Sequence, residues 1–79
     1  MKYQFISDGY IFEADTPRQA CERIWHSMKF QFDKSVEDWM LSNAKACEAW
    51  CGKKFRTDSL ENHFTDLLRH KIIEEIPAD

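Results

Sequence analysis

Residues 2–14 read KYQFISDGYIFEA, and how this stretch folds decides the architecture of the chain. Polar and apolar residues alternate over Lys2-Tyr3-Gln4-Phe5, ahead of Asp8-Gly9. That dipeptide accepts the positive φ angles that a two-residue type I′ turn needs. A turn there predicts a β-hairpin in which Ile6 faces Ile11, Phe5 faces Phe12, Gln4 faces Glu13 and Tyr3 faces Ala14. Successive side chains point to opposite faces of a strand. Tyr3, Phe5, Tyr10, Phe12 and Ala14 therefore share one face, the expected core face. Ile6, Ile11, Gln4 and Glu13 share the other. A lone hairpin is not stable in water, so the rest of the chain must cover the aromatic face.

Three helical patterns follow. Thr16-Pro17-Arg18-Gln19 has the form of a capping box with proline at the first helical position. Ala20, Cys21, Ile24, Trp25 and Met28 then recur at helical spacing, which predicts a helix over about 17–29. Residues 29–33 read as a connector that pins Phe30 and Phe32, with a short strand as the alternative. A second helix is expected over 36–51. Ser35 caps it, and Glu37 and Asp38 suit its first turn. Val36, Met40, Ala44, Cys47 and Cys51 form its apolar stripe, with Trp39, Asn43 and Trp50 beside it. Gly52 is a natural residue to end it in the left-handed conformation. A third helix is expected over 59–75, capped by Asp58 with Glu61 three residues on. Its stripe is Leu60, Phe64, Leu67, Leu68 and Ile72, widened by Ile73 and Ile76, and Pro77 stops it. The predicted fold is α+β: one small domain over 1–79, an N-terminal β-hairpin packed on three α-helices in the order ββααα.

The composition fits one small core. In 79 residues there are three Trp, six Phe and two Tyr, and each buried aromatic removes roughly 150–250 Å² from water. Three cysteines, Cys21, Cys47 and Cys51, are an odd set, which argues against disulfide stapling. The N-terminal residues do not read as a signal peptide. No apolar run approaches the length of a membrane span. A reducing, cytoplasmic setting is expected, with no membrane contact.

Motifs that carry chemistry are few. Cys47-x-x-x-Cys51 puts two thiols on one helix face and could supply half of a zinc site. The histidines, His26, His63 and His70, do not complete a zinc-finger spacing, and both cysteines share the stripe of Met40 and Ala44. They read as small core residues, so no metal and no cofactor is expected. Two glycines cannot build a phosphate-binding loop, and no nucleophile–histidine motif is present. No enzymatic activity is expected.

Binding remains. A net charge of −3, with both signs mixed along the chain, disfavours a free-standing nucleic-acid binder. Lys53, Lys54 and Arg56 around Phe55 keep a nucleic-acid-associated regulator as an alternative, with a basic loop touching phosphates. Basic residues after a helix end also complement its dipole. The leading expectation is a partner protein or nucleoprotein complex. Glu37, Asp38 and Glu48 would form an acidic face that docks on a basic surface by charge complementarity. Phe30, Phe32 and Trp39 are the candidate aromatic anchors. A homodimer or assembly subunit would use the same aromatics.

In size, acidity and lack of catalytic motifs the chain is similar to small inhibitors carried by phages and mobile elements, such as anti-CRISPR proteins. The resemblance rests on no motif and transfers no residue. It implies a stoichiometric inhibitor that blocks a nucleic-acid-handling complex.

Overall fold

The computed structural model describes residues 1–7, 9–27 and 34–77. Two strands open it, β1 (Lys2–Phe5) and β2 (Ile11–Glu13). Three helices follow, α1 (Pro17–Ser27), α2 (Val36–Cys51) and α3 (Leu60–Arg69), and a third strand, β3 (Ile73–Ile76), closes it. The fold is α+β, with the hairpin and the three helices read from the sequence. One face of the sheet packs on the helices, and α1 lies against both α3 and β2.

The sheet is antiparallel with order β2-β1-β3, so β1 is its centre. The predicted register is off by two residues. Tyr3 faces Phe12 and Gln4 faces Ile11. At the turn end of the hairpin Phe5 N donates to Tyr10 O and Gly9 N donates to Phe5 O, both at 2.9 Å. Gly9 takes the left-handed conformation at φ 77°. Ile6 N–H points to the other side of β1 and donates to Ile72 O at 3.1 Å. A slip of two preserves the side-chain parity that a slip of one would invert. Tyr3, Phe12 and Ala14 are therefore buried as expected, and Ile6 and Ile11 are exposed.

The helix starts follow local hydrogen-bond chemistry. Thr16 Oγ1 accepts from Gln19 N at 3.1 Å, and Gln19 Oε1 accepts from Asp15 N, one residue further back than the usual capping box. Ser35 Oγ accepts from Asp38 N at 3.1 Å. Ser59 caps α3 instead of Asp58: its Oγ accepts from Asn62 N, while Asp58 Oδ2 accepts from the Asn62 side chain, both at 3.0 Å.

The largest departure from the sequence reading lies at the end of α3. The helix stops at Arg69 instead of running to 75. Lys71 is left-handed, with φ 61°. Its N donates to Leu68 O at 3.2 Å, and Ile72 N donates to Leu67 O at 2.9 Å. This pair of bonds is the Schellman motif, which usually places glycine where Lys71 sits. The chain then turns back as β3, with Ile73 paired to Phe5 and Glu75 to Tyr3. Ile73 is buried, so it joins the core as a strand residue.

Candidate protein-binding site

The line of α2 that holds Trp39 and Trp50 decides where the molecule is open. Eleven residues are about three turns of helix, so the two indoles lie on nearly the same side. Trp39 is 1% exposed and Trp50 is 72% exposed. The expected anchor role of Trp39 is thus corrected. Its ring is packed inside against His63, edge-on at 5.7 Å, because the buried stripe of α2 is wide enough to take in Val36, Trp39 and Met40 together. Phe30 and Phe32 lie outside the described residues.

Beside Trp50 the surface is concave. Asn43, Ala46, Cys47 and Trp50 fall at i, i+3, i+4 and i+7 on one helix face. With Phe5, Ser7 and Ile72 they line a groove of about 290 Å³. A second depression of about 240 Å³ adjoins it, sharing Ser7, Trp50 and Ile72 and adding Ile6 and Lys71. The return of the chain at Lys71 brings Ile72 to the end of β1, so the Schellman turn builds one wall. Exposed Ile6 and half-buried Phe5 and Ile72 make the walls mainly apolar.

A polar bracket fixes the ground behind this groove. His63 is completely buried. Its Nδ1 is 3.0 Å from Arg56 O, and a carbonyl only accepts, so Nδ1 carries the hydrogen. The neutral ring then leaves Nε2 as acceptor for Asn43 Nδ2 at 3.0 Å. Burial lowers the His63 pKa, opposed by the bond to Arg56 O and by the Asp66 charge. Asn43 therefore ties the groove wall to α3 through His63.

The basic trio divides. Arg56 is committed to Asp66: Nε lies 3.0 Å from Oδ2, Nη2 lies 2.9 Å from Oδ1, and the Arg56 backbone N donates to Oδ2 at 2.8 Å. These Arg56 bonds hold the buried Asp66 carboxyl down at about 2, despite its burial. Phe55 is buried and meets His70 edge-on at 5.0 Å, so it anchors the inter-helix loop. Lys53 and Lys54 are exposed.

The acidic trio divides too. Glu37 pairs with Arg18 at 2.9 Å across α1 and α2, both exposed. Asp38 is exposed on the same first turn. Glu48 is half-buried at the far end of α2, where its Oε2 accepts from Phe55 N at 3.3 Å. Glu48 serves the loop, and Glu37 is held by Arg18.

The cysteines are core residues. Cys21 and Cys47 are buried, and Cys51 packs against the core from its edge. Burial, then the neighbouring Cys51 and Glu48, pushes the Cys47 thiol up to about 11. Burial first, and acidic neighbours after it, raise the Cys21 thiol to about 12. Both stay protonated at neutral pH, which makes them poor nucleophiles and poor ligands. Among the described residues, no group of three or more His, Cys, Asp or Glu is placed to hold a metal ion. No described helix is long and apolar enough to cross a membrane.

Sequence reasoning put Trp50 beside the stripe and did not separate it from Trp39. What separates them is tertiary: the body covers one end of their shared line and leaves the other open. Comparison of the chain with protein-family models, with curated proteins and with solved structures finds no match.

Proposed function

We propose that this chain is a binding protein that occupies a surface of a larger protein through the groove around Trp50. The observation that carries this reading is the 72% exposed indole set between two apolar depressions. Tryptophan is the residue type most enriched at the energetic centre of protein interfaces. An exposed indole does nothing for the core, and a concave apolar surface beside it favours a ligand that removes both from water. A stoichiometric inhibitor of a nucleic-acid-handling complex, the anti-CRISPR-like mode, is the specific form proposed. Glu37 and Asp38 on the first turn of α2 supply the acidic contact with a basic surface in that form.

Affinity capture from the host with the wild-type chain and with Trp50→Ala tests the reading. A partner retained by the wild type and reduced at least tenfold by Trp50→Ala supports it. A partner retained equally by both removes the groove from the interface. The doubly reversed chain, Glu37→Lys with Asp38→Lys, separates the two surfaces: loss of the partner there, with Trp50→Ala unaffected, moves the interface to the acidic turn.

A further inference from the structure

Lys71 is the only charged residue among the described residues lining the two depressions, whose other walls are Phe5, Ile6, Ser7, Asn43, Ala46, Cys47, Trp50 and Ile72. It makes no ion pair among the described residues. It also sits where the backbone disfavours it, at φ 61° in the C-terminal turn of α3, a position glycine fills without strain. A side chain kept in an unfavourable backbone conformation points to a use for that side chain. The groove thus combines an apolar trough, a projecting indole and one cation at the rim.

We infer that the groove takes a peptide segment of a partner protein in which an apolar side chain is flanked by a carboxylate, with Lys71 receiving the carboxylate beside Trp50. This names the chemistry of the partner and rests on the Trp50 groove being the binding surface. Charge complementarity selects this occupant. A basic segment would set its cation against Lys71.

The test is selection of random peptides displayed on phage against the full chain. Enriched peptides are then synthesised and titrated into ¹⁵N-labelled wild type, Trp50→Ala, Lys71→Gln and Lys71→Gly. Lys71 and Trp50 are exposed, and Lys71→Gly keeps the favoured backbone, so the fold is retained. The expected result is enrichment of an apolar residue with Asp or Glu close by. Binding should fall about tenfold with either Lys71 variant or with the peptide acid changed to its amide, the size of one charge-assisted hydrogen bond. Lys71→Glu should prefer the peptide with lysine in place of its acid. Peptides lacking a carboxylate, or peptides that bind Lys71→Gln and Lys71→Gly as tightly as wild type, overturn the role of Lys71 and leave the groove standing. Peptides that bind Trp50→Ala equally overturn the groove reading itself. No enrichment, a dimer that closes the groove, or an oligonucleotide that shifts the Trp50 indole also overturns the inference.

Discussion

The guanidinium of Arg56 lies fork-to-fork on the carboxylate of Asp66, at 2.9 and 3.0 Å, and closes the loop between α2 and α3 onto α3. Asp66 also accepts the Arg56 backbone N–H, so one buried carboxylate satisfies a turn of irregular chain. A double-mutant cycle with Arg56→Ala and Asp66→Asn should give a favourable coupling between the two side chains. Arg56 is half-exposed, which keeps the value below that of a fully buried pair. Urea unfolding of the four chains measures it, and additive effects would mean the pair is incidental.

Stability should fall in two acid steps. The His63 pKa is lowered in the folded chain from its ordinary 6.5. The unfolded chain therefore takes up this proton first. The His63 contribution is whole above pH 6.5 and is lost as the pH falls below it toward the folded value. Asp66 has a pKa of about 2 against an ordinary 3.8. Its contribution is whole above 3.8 and is lost as the pH falls from there toward 2. Urea midpoints against pH should show both steps. His63→Gln should remove the upper one, since Gln can donate to Arg56 O and accept from Asn43 without titrating.

Lys71→Gly should stabilise the chain by about 1 kcal/mol, by relieving the left-handed strain at φ 61°. Lys71→Ala should give no such gain, because alanine meets the same clash. Chemical denaturation of the three chains decides it. A gain in stability joined to a loss of affinity for an acidic peptide is the combination expected of a residue kept for binding.

The two tryptophans on one line of α2 should respond oppositely to truncation. Trp39→Ala should cost about 3–5 kcal/mol, as for a large buried aromatic. Trp50→Ala should stay within about 0.5 kcal/mol, as for a surface position. Comparable losses at both would mean that the Trp50 indole is packed.

The elements whose signals are local were legible in the sequence. Ser35 and Gly52 bound α2 as read, with Gly52 left-handed at φ 73°. Thr16 and Gln19 start α1, and because the register slip is even, Tyr3, Phe12 and Ala14 of the predicted core face are buried, while Phe5 is half-buried and Tyr10 is exposed. The misreadings are tertiary. The hairpin register is shifted by two from the one a turn at Asp8-Gly9 predicts, and β1 pairs on its other side with a segment far along the chain, where Ile6 N donates to Ile72 O. The end of α3 carries no glycine, so Ile72, Ile73 and Ile76 continued a helical stripe on paper. Pairing with β1 converts that segment into a strand. The groove was illegible for the same reason, since it exists only where the Lys71 turn returns Ile72 to the end of β1. Arg56 and Glu48 have structural partners that spacing does not reveal.

Trp50 is the proposed point of contact with the partner. Titration of the captured partner into the ¹⁵N-labelled chain reads it directly, since each indole N–H gives its own signal. The Trp50 signal should shift and saturate at one equivalent of partner, with Asn43, Lys71 and Ile72 moving alongside and Trp39 unmoved. Saturation with an unchanged Trp50 signal, and shifts confined to Glu37 and Asp38, would contradict it.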